Sequence, residues 1–218
     1  MLEQPSIELL GFIIDNGLTL EDQAVKVKNK VRSGTFALRI ASKNHLPLPA
    51  RKQIYNSVVG CHLNYADIVV GSGSKTALNL YQSGQDKAIR ALLNKPVFCD
   101  TEKLREHLQW LPLSGKRSVH EMTLVWKALH EQAPKQITSR LNNENRHSHA
   151  TRLNSSKGIR PPEVPETKSG QRSFYRRAIS KWNKLDPEAR EAASSTACRN
   201  LVFAQLWSNK NSDFIYFD

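Results

Sequence analysis

The feature that most constrains the fold of this chain is a pair of helical patterns separated by a glycine-rich turn. The first pattern begins near Pro49, a residue suited to the first turn of a helix, and its apolar residues recur at helical spacing. The second follows the sequence GSGSK, where Ser74 is a candidate N-cap, and carries an apolar stripe to Leu92. Because the glycines break the helical pattern, we predict a helical hairpin over residues 49–95.

The longest helix candidate precedes this hairpin and runs from Leu20 to Lys43. Its apolar residues alternate by fours and threes, which predicts one continuous buried stripe. Cationic residues cover the remaining faces, and Lys28, Arg32 and Arg39 among them are candidates for binding an anion. A solvated helix face accounts for the same charges equally well, so both interpretations stay open.

A short β-rich apolar run, Ile7–Asp15, precedes both helical regions. We predict a single short strand here. A strand of this length is not stable alone, because its backbone groups need a neighbour. It reads either as the end of a larger sheet or as a strand that caps this small domain.

The charge balance favours an anionic partner. The chain has 218 residues and a formal net charge of +12, so nucleic acid ranks first as a partner and an acidic membrane surface ranks second. No stretch approaches the roughly 20 apolar residues of a membrane span, and we predict no membrane insertion. Three widely separated cysteines predict neither a disulfide framework nor a zinc site, and they favour an intracellular location, in the nucleus or the cytoplasm.

The second half of the sequence combines helical patterns with one polar segment. Residues 101–108 and 109–134 predict a second helical unit with an apolar core. Residues 142–170 are rich in Asn, Ser, Pro and charge, which predicts a mobile linker. A last helix is expected over about residues 197–207.

Aromatic and cationic residues are interleaved after this segment, in residues 171–185. Phe174 and Trp182 could stack on bases while the neighbouring arginines and lysines bind phosphates. The alternative, which we favour, is that both aromatic side chains dock on the preceding helices.

Three motifs in the predicted hairpin carry a family resemblance: HLNY at 62–65, IVVG at 68–71 and YQSGQDKAIRALL at 81–93. They are similar to the P-H-L-x-Y, V-x-W-G and L-Q-x-x-Q-x-x-A-x-R-x-I series that follows the palm in reverse transcriptases of non-LTR (LINE-type, Jockey-like) retrotransposons. Cys61, Val70 and Tyr81 replace the family's proline, tryptophan and leucine without changing the spacing.

Further elements resemble the same family in the same order. They are an L-G-x-x-x-D strand at residues 10–15, LPLPARKQIYNSVV at 46–59, QWLPL at 109–113 and RSFYRRAISKWNKL at 172–185. The resemblance extends from Leu10 to about Trp207. It implies a mainly α-helical protein: a thumb-like helical bundle with a short N-terminal β-strand, a flexible linker and a C-terminal helical segment.

The resemblance also implies a division of the chain. The expected parts are residues 1–19 as a strand of the palm or primer grip, 20–95 as a thumb-like helical bundle, 96–141 as a second helical unit, 142–171 as a flexible linker and 172–218 as C-terminal basic and aromatic helices.

The implied parent activity is RNA-directed DNA synthesis, and the implied partner is RNA or an RNA–DNA hybrid. The family's metal-binding aspartates lie in the palm, before the L-G-x-x-x-D strand, so we expect this chain not to be catalytic alone and to need no cofactor. Mg²⁺ is expected only for a full-length parent enzyme. We expect the chain to grip template–primer mainly through phosphates.

The residues expected to contact nucleic acid are Lys28, Arg32, Arg39, Arg51, Lys52, Lys87, Arg90, Arg172, Arg176, Arg177 and Lys181. No catalytic and no metal-binding residue is assigned. Two alternatives remain: a helical scaffold that binds a palm domain or another protein through exposed apolar faces, and a non-functional retrotransposon relic.

Overall fold

Helices dominate the computed structural model of this chain, in which the structure is described for residues 6–144, Ile159 and residues 167–209. Within these residues the only sheet is a short two-stranded one near the N-terminus. The predicted mainly α-helical fold class with short N-terminal β structure is confirmed. The chain divides into two units, residues 1–113 (unit 1) and residues 114–218 (unit 2), which we describe separately.

Unit 1 is a β-hairpin followed by a helical bundle. Its elements are β1 (Ser6–Leu9), β2 (Phe12–Asp15), α1 (Glu21–Lys43), α2 (Leu48–Tyr55), a π-helical turn (Asn56–Gly60), α3 (Cys61–Asn64), α4 (Asp67–Val70), α5 (Lys75–Leu92) and α6 (Thr101–Leu108).

The predicted single strand is a hairpin, because the run turns back on itself at Leu10 and Gly11. Both residues have positive φ, +51° and +81°, as a two-residue hairpin turn requires. β1 and β2 are antiparallel, with Ile7 opposite Ile14. The neighbour that a short strand needs is therefore supplied by the second half of the same run.

The helices α1 and α5 pack against each other in parallel. At their N-terminal ends the Ser74 amide donates a hydrogen bond to the Thr19 carbonyl (2.8 Å). At their C-terminal ends the Ser42 hydroxyl donates to the Ala91 carbonyl (2.8 Å). Between these ends, a Cβ on Gly84 would lie 3.3 Å from a methyl carbon of Val31. The buried stripe predicted for α1 therefore faces α5 along its length.

The segment from α2 to α3 runs antiparallel to α5, as the predicted helical hairpin requires. The Arg51 guanidinium, at the start of α2, donates to the Leu92 carbonyl at the end of α5 (2.6 Å). Farther along the segment, Leu63 lies near Gly84, in the middle of α5. Ser74 caps α5, since its hydroxyl accepts a hydrogen bond from the Ala77 amide (3.1 Å).

The residues after α5 complete the core of unit 1. Leu108 and Leu113 belong to its buried apolar cluster, and Trp110 packs against it. The Arg105 guanidinium lies 2.6 Å from the Asp86 carboxylate on α5. These contacts hold residues 100–113 against the bundle, so the division of the chain lies near residue 113. From the sequence we expected a division at 95–96.

The regular elements among the described residues of unit 2 are all helices. Its elements are α7 (Leu113–Leu129), which begins at the boundary, α8 (Lys135–Glu144), α9 (Lys168–Gln171), α10 (Phe174–Asn183), α11 (Pro187–Arg190) and α12 (Ser195–Ser208). Met122, Ile179, Trp182 and Leu206 are fully buried.

The predicted linker, 142–171, is shorter than expected at both ends. Helix α8 continues to Glu144, and α9 covers Lys168–Gln171. Ile159, within the predicted linker, is fully buried, and its backbone exchanges two hydrogen bonds with the Asn183 amide (2.9 and 2.6 Å). The polar composition of the segment conceals this apolar anchor. The rest of the predicted linker lies outside the described residues.

Candidate nucleic-acid interface

Three of the predicted contact residues lie together on the solvent face of α1. Lys28, Arg32 and Arg39 are all exposed, and none of them makes a hydrogen bond or an ion pair within the described chain. Their spacing of four and seven residues places them on one helix face. With a rise of about 1.5 Å per residue, they span roughly 16 Å along the helix. We call these three residues the α1 cationic face.

Lys26, a basic residue on the same helix, differs from this face because it has an acidic partner. Lys26, also on α1, has its ammonium 2.6 Å from the Glu8 carboxylate of β1. This contact holds the pKa of Glu8 below its ordinary value, mainly through the hydrogen bond from Lys26. Lys26 is thus partly neutralised, whereas the α1 cationic face has its full charge available to a ligand.

Lys87 on α5 lies on the same side of the α1–α5 pair. On α5, Gly84 faces α1, and Gln85 faces Tyr55 of α2, to which it is hydrogen-bonded. Helical periodicity then places Lys87 next to α1, on the side of α5 that faces away from α2. The α1 cationic face points to the same side of the helix pair. Lys87 is exposed and without a partner in the described structure. Four of the predicted residues therefore form one cationic surface.

The other predicted residues of unit 1 serve the fold. Arg51 is half-buried, and its guanidinium donates to the C-terminal carbonyl of α5. Arg90 donates from Nε to the Cys99 carbonyl (3.1 Å) and so holds the loop after α5. The Lys52 ammonium lies 6.0 Å from the centre of the Trp110 ring, at the limit of a cation–π contact.

The predicted residues of unit 2 include a buried ion cluster. Glu121 on α7 is fully buried, and its two carboxylate oxygens lie 2.6 Å from Arg177 and 3.2 Å from Lys181, both on α10. Lys181 also donates to the Ser118 hydroxyl (2.9 Å). We call Glu121, Arg177 and Lys181 the ion triad. In this arrangement Arg177 and Lys181 join α7 to α10 instead of facing solvent.

Two further predicted residues of unit 2 are half-buried. The Arg172 carbonyl accepts a hydrogen bond from Arg177. One terminal nitrogen of Arg176 is buried without a hydrogen-bond partner. Of the aromatic residues in this region, Trp182 is fully buried, as the docking interpretation requires, and Phe174 is half-buried.

The expected contact residues did not include two residues on the solvent face of α1. Phe36 has 66% of its surface exposed and lies between Arg32 and Arg39. Lys43, four residues after Arg39, is also exposed and without a partner among the described residues. The signal was available, because positions 36 and 43 fall outside the apolar stripe and share the helix face of the three cations.

Two ionisable groups outside this face have shifted pKa values. Burial raises the pKa of the Cys198 thiol to about 11, so it stays protonated near neutral pH. Partial burial and the nearby charge of Lys30 lower the pKa of His62, which favours its uncharged form. Among the described residues, no group of three or more His, Cys, Asp or Glu side chains could hold a metal ion.

We compared the chain with protein-family models, with curated proteins and with solved structures, and none of the three comparisons found a match. The described helices also include none that is long and apolar enough to cross a membrane. The motifs and the geometry above therefore carry the functional argument.

Proposed function

We propose that this chain binds nucleic acid, either RNA or an RNA–DNA hybrid, through the α1 cationic face and Lys87. One observation carries the proposal: Lys28, Arg32 and Arg39 share one exposed helix face and have no acidic partner in the described structure. Closely spaced cations of this kind repel one another, and an anionic ligand relieves that repulsion. A row of phosphates matches both the sign and the linear arrangement of the charge.

The resemblance to retrotransposon reverse transcriptases supports the same proposal. By its place in the sequence, the helix that carries the α1 cationic face corresponds to the point where the thumb begins in the resembled family. The chain would contribute grip on template–primer to RNA-directed DNA synthesis, without catalysing it alone. Phosphate contacts carry no base information, so binding should depend weakly on sequence and strongly on salt.

Charge reversal tests the proposal directly. We expect K28E/R32E/R39E to weaken binding of a fluorescently labelled RNA–DNA hybrid at least tenfold at low salt, since each reversed charge removes an attraction to phosphate and adds a repulsion. The matched control is K75E/K103E/K135E, which changes the net charge equally at exposed positions on α5, α6 and α8. If both variants lost affinity equally, the effect would be due to net charge alone. If K28E/R32E/R39E lost no affinity, the proposed interface would be refuted.

A second function is favoured by one separate observation. Three apolar side chains of the β-hairpin are exposed, namely Ile7 (55%), Leu9 (57%) and Leu10 (85%). Exposed apolar clusters of this kind mark protein-binding surfaces. A protein-interaction scaffold would therefore use the hairpin. In that case the chain would elute as a larger species in size-exclusion chromatography at all salt concentrations, and I7S/L9S would restore the monomer.

A further inference from the structure

An exposed aromatic ring lies inside the α1 cationic face. Phe36 comes four residues after Arg32 and three before Arg39, so the two guanidinium groups flank it along the same helix face. Its exposed fraction of 66% is far above that of the apolar residues on the opposite face, where Val31 and Leu38 are buried. Phe36 makes no ring contact within the described residues. The packing of α1 therefore does not use it.

Phosphate binding does not use Phe36 either. A phenyl ring offers no charge and no hydrogen bond to a phosphate, and an exposed ring among cations gains nothing from water. Its flat face does suit a nucleobase, which every nucleotide carries next to its phosphate. The backbone of Phe36 lies about 6 Å along the helix axis from that of Arg32 and about 4.5 Å from that of Arg39. A strand bound by both arginines would pass close to its ring.

We propose that Phe36 stacks on an unpaired base, so that the solvent face of α1 is a subsite for single-stranded RNA. This inference rests on the proposed function, because the flanking cations must hold the backbone in place. In a paired duplex the bases already stack on each other and their faces are covered, so Phe36 gains nothing from a blunt hybrid. In single-stranded RNA the base faces are open, and stacking on an aromatic side chain stabilises the complex.

Three probes distinguish contacts to the bases from contacts to the sugar–phosphate backbone. They are a fluorescent single-stranded oligouridine, the same sugar–phosphate chain with abasic residues, and a blunt RNA–DNA hybrid. We expect F36A to weaken oligouridine binding at least about fivefold, the lower end of the effect of removing one stacking partner. Binding of the abasic chain and of the hybrid should change less than about twofold, because neither offers an open base face. F36W, which keeps an aromatic face, should bind oligouridine at least as tightly as the wild type.

Phe98 provides the matched control. It is the most exposed aromatic residue among the large exposed apolar side chains of the described structure (89%), and it lies in the loop after α5, outside α1. F98A should leave the affinity for all three probes unchanged. If F98A weakened oligouridine binding as much as F36A, the stacking site could not be assigned to Phe36. Circular dichroism of each variant checks the helical content.

The outcomes separate this inference from the proposed function. If F36A bound oligouridine like the wild type while binding stayed steeply salt-dependent, the stacking inference would be overturned and the phosphate interface would stand. An equal loss for all three probes would also overturn it, because the ring would then act on the helix face and not on a base. If the folded wild type bound none of the probes, both proposals would fail, and a protein partner would remain for this face.

Discussion

Asp15 shows how one carboxylate organises the start of the longest helix. Its oxygens accept hydrogen bonds from the Leu20 amide (2.6 Å), the Thr19 amide (2.9 Å) and the Thr19 hydroxyl (2.9 Å). Leu20 occupies the N-cap position with φ +59° and offers no side-chain oxygen. The carboxylate therefore supplies from a distance the acceptor that a helix N-terminus needs.

Replacing this carboxylate should destabilise the protein in a pH-dependent way. Partial burial alone would raise the pKa of Asp15, but the hydrogen bonds from Thr19 and Leu20 outweigh it and the pKa is lowered. The stabilisation is therefore present above the ordinary Asp pKa and is lost as the pH falls through the lower pKa of the folded state. We expect D15N to cost about 1–2 kcal/mol at pH 7, measured by urea unfolding.

Measuring D15N at acid pH tests the direction of this pH dependence. The difference in unfolding free energy between wild type and D15N should shrink below about pH 4, as the wild-type carboxyl becomes protonated. D22N is the matched control, since Asp22 is an exposed acid in the first turn of the same helix and should cost only a few tenths of a kcal/mol. A D15N deficit that stayed constant down to low pH would contradict the assigned role.

At the scale of elements, two glycines in the helical bundle differ in whether they can accept a side chain. A Cβ on Gly34 of α1 would lie 2.3 Å from the Val58 carbonyl oxygen, in the π-helical turn, so backbone would have to move. Gly60, at the end of that turn, has only ordinary contacts at 3.4–3.5 Å. We expect G34A to lower the free energy of unfolding by about 2 kcal/mol or more.

The variant G60A provides the comparison for G34A. Gly60 has helical φ (−58°), and Ala is favoured over Gly in helices by up to about 1 kcal/mol, so G60A should be neutral or stabilising. Urea midpoints of both variants measure the contrast. Equal destabilisation by G34A and G60A would argue against the close crossing of α1 and the π-helical turn.

The ion triad belongs to the same scale, because it connects two helices of unit 2. Removing Glu121 would leave Arg177 and Lys181 buried with like charges, which should cost about 3–5 kcal/mol in E121A. Replacing the whole triad by apolar residues, in E121L/R177M/K181M, should cost much less, because no unpaired charge remains. Thermal unfolding distinguishes the two variants. Similar losses in both would contradict the structural role.

The elements also show which features of the fold could be predicted from the sequence. Helical periodicity predicted α1, and the Ser74 cap was predicted too, because each depends on neighbours three or four residues away. The helical hairpin was predicted from the glycines that separate its two patterns. The buried environment of Lys181 was not accessible, since its partner Glu121 lies 60 residues earlier in the chain. The Leu10–Gly11 turn was missed because leucine at positive φ is rare, so the sequence from Ile7 to Asp15 was interpreted as one strand.

For the whole molecule, the distribution of charge matters more than its total. The net charge of +12 indicated an anionic partner, but it could not say which cations are available. Arg51, Arg177 and Lys181 are engaged in the fold, whereas the α1 cationic face and Lys87 are not. The sequence predicted cationic residues on the solvent side of α1 and included Phe36 only as part of the helix. Separating engaged from available cations required the tertiary contacts.

The most direct test of the central claim is the affinity of the full chain for an RNA–DNA hybrid across a salt series. We predict that log K falls linearly with log[salt] and that neutralising the α1 cationic face in K28Q/R32Q/R39Q reduces the magnitude of the slope by about 3, since each phosphate contact contributes about 0.9. A slope that is flat, or that is unchanged in this folded variant, would contradict the account.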